Sequence, residues 1–228
     1  MKKHLIIPLA LLMGISTTSH AHLYYDHIKP TIKDGFDTKG WIIIGSGLAT
    51  TALAQTQDYS IRAEYKDNNR MSSQGSKFGD FLGTGIPGAA IALTQLYFDP
   101  ANGAAHTEAL IDTALVTYAL KYTNQRNRPG SENRLSMPSG HTSTTFATAT
   151  ALTYAYGWTA AIPSYALATW TAASRWSDDA HWFSDTLAGA FVGLFWARAT
   201  HFHHSKNYGQ TLPFFTDGGG GLVWVMRY

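Results

Sequence analysis

Apolar positions along the 228-residue chain come in blocks of helical length, separated by short polar or Gly/Pro-containing breaks. This spacing predicts helices and almost no strands. The first block runs from Trp41 to about Gln55. A polar stretch, Asp58 to Lys77, reads as a loop or lid. A second helix is predicted from Phe78 to about Phe98, bent near Gly85-Ile86-Pro87, and Pro100 to Gly103 reads as a break. A third spans Ala104 to about Gln125, with Leu110, Ala114, Val116, Ala119 and Leu120 as its apolar face. Arg126 to Met137 is a loop around the Pro129-Gly130 turn. A fourth helix opens at Ser139 or His141 and closes at Gly157. A fifth spans Ile162 to about Ala173 with Pro163 in its first turn, and a sixth spans Ala180 to about Thr200. From His201 to Tyr228 the helical spacing is lost, and four glycines at 218–221 precede Leu222-Val223-Trp224-Val225-Met226. That stretch suits an irregular or extended tail.

The expected fold class is therefore all-α: an antiparallel bundle of about six helices with a short tail. Two long stretches lack Asp, Glu, Lys and Arg, Phe81–Phe98 and Leu135–Ser174. Both are broken by Gly or Pro, the second is rich in Thr, Ser and Ala, and the mean hydropathy is slightly negative, −0.13. Membrane spans are usually richer in Leu, Ile, Val and Phe. These segments read as buried helices of a soluble bundle, with a membrane-associated form as the second reading.

The chain starts Met1-Lys2-Lys3-His4, continues with an apolar run from Leu5 to Ile15, and reaches the small residues Ser19-His20-Ala21. That order is expected of a secretory signal peptide over residues 1–21. It would deliver a domain over residues 22–205 and a Gly-rich tail over 206–228 to the periplasm or outside the cell. There is no cysteine, which excludes thiol chemistry and disulfides. A net charge of +2 with no like-charge block gives no reason to expect a nucleic-acid partner. His201, His203 and His204 offer metal ligands, but an exposed His-rich helix end is the commoner meaning of such a cluster.

Three blocks hold the chemistry. They are Lys121 with Arg128-Pro129, then Pro138-Ser139-Gly140-His141, then Ser174-Arg175 with His181 and Asp185. Spaced i and i+4 on a helix, His181 and Asp185 can touch, so that the carboxylate holds one ring nitrogen and frees the other as a nucleophile. Ser139 suits a helix N-cap, Gly140 lets backbone approach a ligand, and free N–H groups at a helix start favour an anion. His141 can act as a general acid. Lys121, Arg128 and Arg175 can neutralise phosphate oxygens without a metal, so neither metal nor cofactor is expected. If helices four and five run out and back, all these pieces meet at one end of the bundle.

The pattern K-x6-R-P, P-S-G-H, S-R-x5-H-x3-D resembles the signature of the type 2 phosphatidic acid phosphatase superfamily, across about residues 115 to 195. That superfamily also holds bacterial non-specific acid phosphatases and vanadium haloperoxidases. The resemblance implies a phosphoester hydrolase acting on a lipid phosphate or pyrophosphate or a soluble ester. By the same resemblance Lys121, Arg128, Ser139, Gly140 and Arg175 would bind phosphate, with His181 as nucleophile, Asp185 as its partner and His141 as acid. A vanadate-dependent haloperoxidase and a non-catalytic envelope protein are the alternatives. Around the motifs, Asp178 and Asp179 put negative charge near an anion site, where they could pair with arginines, while Arg126 and Arg134 could offset them. Trp176 and Trp182 read either as an apolar wall for a leaving group or as core packing.

Overall fold

The computed structural model describes residues 29–208, 210–216 and 219–225; the segment expected to be a signal peptide lies outside them. The helices are α1 (Lys29–Gly35), α2 (Thr38–Ala54), α3 (Asp58–Arg62), α4 (Ser73–Gly83), α5 (Ile86–Phe98), α6 (Pro100–Asn124), α7 (Gly140–Tyr156), α8 (Trp158–Ser177) and α9 (Phe183–Tyr208). A 3-10 turn (Gln55–Gln57) and a π-helical turn (Ala63–Asp67) flank α3. The tail forms two antiparallel strands, β1 (Gln210–Thr216) and β2 (Gly219–Val225), with Gln210 opposite Val225 and Thr216 opposite Gly219. Helix α9 is the hub and packs on α7, α6, α2 and α1, while α4 packs on α8 and α5 on α6.

Several boundaries move from those the sequence predicts, each for a local reason. The second predicted helix is two, α4 and α5, meeting at 45° where Gly85 takes a left-handed φ of 87°. The polar stretch expected as a loop or lid is mostly helical, and Ser72 caps α4 by accepting from Gly75 N. Pro100–Gly103 is no break. The chain turns at Asp99, and Pro100 opens α6 in the one position where its missing N–H costs nothing. Helix α8 begins at Trp158, which leaves Pro163 inside it; the next residue, Ser164, bonds back from Oγ to Ala160 O at 2.6 Å. Helix α9 continues through the expected end at Thr200, so His201, His203 and His204 are helical rather than part of the tail.

The interior also differs from the expected one. On α6 the buried residues are Gly103, Ala105, His106, Ala109, Thr113, Thr117 and Lys121, whereas Ala114 and Ala119 of the predicted apolar face are exposed. Ile111, Leu115, Tyr118 and Tyr122, at i, i+4, i+7 and i+11, form an outward apolar stripe. The same holds elsewhere: among the described residues the buried aliphatic and aromatic side chains are alanines plus Phe195, and Ser, Thr and His fill much of the rest. Small interior residues allow close helix approach. A Cβ on Gly189 would lie 2.5 Å from Ser139 O, and one on Gly193 would lie 2.3 Å from Ser143 O. Helix α9 therefore touches the backbone at the start of α7. No single helix among the described residues is long and apolar enough to cross a membrane; the bent pair α4–α5 passes that test by length and composition.

Candidate active site

The loop between α6 and α7 and the junctions around α8 and α9 bring all eight predicted site residues to one end of the bundle. Ser139 caps α7, its Oγ accepting from Thr142 N at 3.5 Å and from Thr142 Oγ1 at 3.1 Å. Its backbone N–H donates to Asp185 O at 2.9 Å, which ties the start of α7 to the start of α9. A Cβ on Gly140 would meet only Lys121 Cε and Thr117 Cγ2, each at 3.9 Å. Packing alone therefore does not require glycine at this position, which faces Lys121.

His181 is buried, with Nδ1 3.7 Å from Asp185 Oδ2. That distance is electrostatic contact rather than a hydrogen bond, and Nδ1 has no hydrogen-bond partner. Burial pushes the imidazole down to about 4, and the charges of Lys121 and Arg128 push the same way against Asp185. The ring is thus neutral at ordinary pH. Asp185 is fully buried. Burial alone would raise its carboxyl, but His181, Ser136 and Arg126 together hold it below the usual carboxylate range. Its Oδ2 accepts from Ser136 Oγ at 2.5 Å and from Trp182 N at 3.0 Å.

The cations surround this pair. Lys121 is buried, and Nζ donates to Leu135 O at 2.6 Å and to Ser136 O at 3.3 Å. Burial, reinforced by Arg128, lowers it to about 8. Arg128 Nε is buried without a hydrogen-bond partner. A buried guanidinium N–H left in this way costs free energy that an anion would recover. Arg175 bonds Asp80 Oδ1 at 2.5 Å and Asp178 Oδ2 at 2.9 Å. His141 packs over Gly83, where any Cβ would lie 2.5 Å from its ring, and its Nε2 is 3.1 Å from Asp80 Oδ1. Burial and then Arg175 lower His141, with Asp80 acting against them.

Two participants, Asp80 and Asp58, escape the sequence reading, and a third, Arg126, has a different role from the expected one. Asp80, on α4, links His141 to Arg175. Asp58, at the start of α3, is buried and accepts from Ser184 N at 2.9 Å and from Ser184 Oγ at 2.8 Å. Arg126 joins Asp58 Oδ2 at 2.6 Å to Asp185 Oδ1 at 2.7 Å, so it braces the His181 partner instead of offsetting Asp178 and Asp179. Those two aspartates pair with arginines: Asp178 with Arg175, and Asp179 with Arg62 at 2.7 Å. Trp176 packs edge-on against Tyr65 and Phe183, and Trp182 bonds Asn127 O at 2.9 Å beneath Arg126. Packing thus describes both tryptophans. No sequence signal marks Asp58 or Asp80, since each is a lone acid in a polar or mixed stretch.

Residues 104–208 match the model of the PAP2 superfamily. Over 78 residues the chain is 42% identical to the Lipid A 1-phosphatase of Porphyromonas gingivalis, an overlap that covers 32% of this chain and only 17% of that protein. The fold is similar to the crystal structure of Aquifex aeolicus LpxE, with a TM-score of 0.56 and 18% identity, covering 63% of this chain and 93% of that one. Asp58 and Asp80 both precede the matched residues.

Proposed function

We propose, for a chain whose residues 104–208 match the PAP2 superfamily, that this site hydrolyses phosphomonoesters through a phosphohistidine, with lipid phosphates as the substrate class. One observation carries the reading: a buried, neutral His181 backed by Asp185 lies where the charges of Lys121 and Arg128 both act on it.

In this scheme Lys121, Arg128 and Arg175 hold the phosphoryl oxygens together with the N–H groups at the start of α7 that Ser139 and Gly140 open. Phosphoryl transfer asks chiefly for positioning and charge neutralisation, and a guanidinium N–H already stripped of water at Arg128 supplies both. His181 Nε2, the nitrogen turned away from Asp185, attacks phosphorus. The N–P bond forms, the P–O ester bond breaks, and the leaving oxygen takes a proton from His141. A water then attacks phosphorus and gives its proton to His141. The N–P bond breaks, and inorganic phosphate leaves a neutral His181. Asp185 stabilises the positive charge that develops on the ring in each step.

The lipid assignment draws on the surface. Helix α4 carries Asp80 into the site and turns Phe78 and Phe81 outward at 48% and 52% exposure, and the apolar stripe of α6 runs toward the Lys121 end. Single exposed apolar residues are ordinary on a soluble protein, but a continuous stripe on α6 together with two outward Phe side chains beside Asp80 suits a lipid surface. The name of the Porphyromonas gingivalis relative, Lipid A 1-phosphatase, is consistent with that class. We therefore propose association with a membrane surface, where the phosphate headgroup enters the cradle and the apolar body stays outside.

The test is phosphate release by purified protein from a panel of lipid phosphates in mixed micelles, nucleotides and sugar phosphates. Lipid phosphates are expected to turn over with kcat/KM at least about tenfold above the soluble esters. Equal or higher values for nucleotides would overturn the lipid assignment, and inactivity across the panel would overturn the hydrolase reading.

A further inference from the structure

Helix α9 carries a second polar cluster at its other end, about 28 Å along its axis from Asp185 at 1.5 Å per residue. Glu108 of α6 meets His203 and His204 there, each offering one ligand atom, and these atoms all lie within 4.8 Å of one another. We propose that these three residues bind a divalent transition-metal ion of the zinc type, which fastens α1, α6 and α9 together.

Two imidazoles and one carboxylate are a borderline donor set. It suits zinc and its neighbours and fits poorly with magnesium or calcium, which prefer oxygen shells. The geometry is close to what such an ion needs. His204 Nε2 is already 2.6 Å from Glu108 Oε2. Tetrahedral zinc, with bonds of about 2.0–2.1 Å, holds its ligand atoms about 3.3 Å apart. No separation must therefore close by more than about 1.5 Å, and the His204–Glu108 pair must open by about 0.7 Å, both within the reach of side-chain rotation. Both imidazoles are buried, His203 at 3% and His204 at 5% exposure.

The outer contacts fit as well. Ligating carboxylates are themselves held by hydrogen bonds that aim them. Thr31, 1% exposed on α1, donates from Oγ1 to Glu108 Oε1 at 2.7 Å, so the other oxygen faces His204. The distance from His181 separates this site from the phosphoryl chemistry. Its consequence is mechanical: it secures helix packing in a chain with no cysteine.

The experiment uses the full chain, stripped with a chelator and titrated with zinc chloride by calorimetry, with metal content and thermal unfolding read in parallel. One zinc per chain is expected, with a rise in Tm and no change in phosphate release at one equivalent. His203→Ala keeps the Glu108–His204 pair and is expected to weaken zinc binding at least about 100-fold and to abolish the Tm rise. Thr31→Val is expected to weaken it about 10–100-fold through the lost outer contact. Uptake below one-tenth of an equivalent, or equal affinity in wild type and His203→Ala, would overturn the site and leave an ordinary ion pair. If His203→Ala is poorly folded, His203→Gln supplies the same comparison.

Discussion

Replacing Arg126 by Met tests whether the buried bracket behind His181 is real. The guanidinium joins two carboxylates that have almost no access to water, Asp58 at 3% and Asp185 at 0% side-chain exposure, and is itself 26% exposed. Removing one partner of a buried pair costs about 3–5 kcal/mol, because a charge stays behind uncompensated. Here Asp58 keeps Ser184 and Asp185 keeps Ser136 and Trp182 N, so the lower end, about 3 kcal/mol, is expected. The pH dependence follows from the direction of Asp185. Its carboxyl lies below the usual range in the folded chain, so its ionised form stabilises the fold above the unfolded pKa, and that stability is lost as pH falls through the folded value. Without Arg126 the folded pKa rises, and protonation relieves the unpaired charge. The deficit of Arg126→Met is thus largest near pH 7 and shrinks on acidification. Urea unfolding followed by circular dichroism at pH 7 and pH 5 measures it, with exposed Arg134→Met as a control expected within about 0.5 kcal/mol of wild type. A deficit under about 1 kcal/mol at pH 7, or one that does not change with pH, would refute the bracket.

Three further outcomes follow from the same geometry. The kcat/KM profile is expected to be bell-shaped and acidic, rising as His181 loses its proton at about 4 and falling as His141, lowered from the usual imidazole range by burial and Arg175, loses its own; a plateau through pH 8 contradicts this assignment. Asp80→Asn removes the negative charge that raises His141, so the falling limb is expected to move to lower pH, and an unmoved limb would exclude Asp80 as its partner. Gly189→Ala places a Cβ 2.5 Å from Ser139 O, a backbone atom that cannot swing away, so a loss of about 1–3 kcal/mol in stability and reduced kcat are expected; wild-type values in both would mean that α7 and α9 do not approach this closely.

The helical rhythm and the motif blocks were legible because each rests on local rules. A His and an Asp four residues apart must share a helix face, and a Ser-Gly at a helix start must present its N–H groups, whatever surrounds them. The convergence of Lys121, Ser139, Arg175 and His181 followed from helix order alone. The bracket was not legible, because Asp58 and Asp80 reach the site through tertiary packing from polar or mixed segments with no motif. The interior was also misread. Apolar spacing on α6 pointed to Ala114 and Ala119 as core, but alanine and threonine line the buried face while Ile111 and Leu115 face outward. Periodicity detects that a helix has two faces and does not say which one the protein buries. The same preference for small side chains at close helix contacts recurs where Gly189 and Gly193 of α9 meet α7.

The central claim is covalent: His181 carries the phosphoryl group. A single-turnover reaction with excess protein over a radiolabelled lipid phosphate, quenched in alkali to preserve phosphohistidine and mapped by mass spectrometry, addresses it directly. A transient phosphoryl group is expected on His181, formed no slower than phosphate is released, and absent from His181→Ala together with turnover. Full turnover without a labelled histidine, or a His181→Ala variant that retains the wild-type rate, would contradict it.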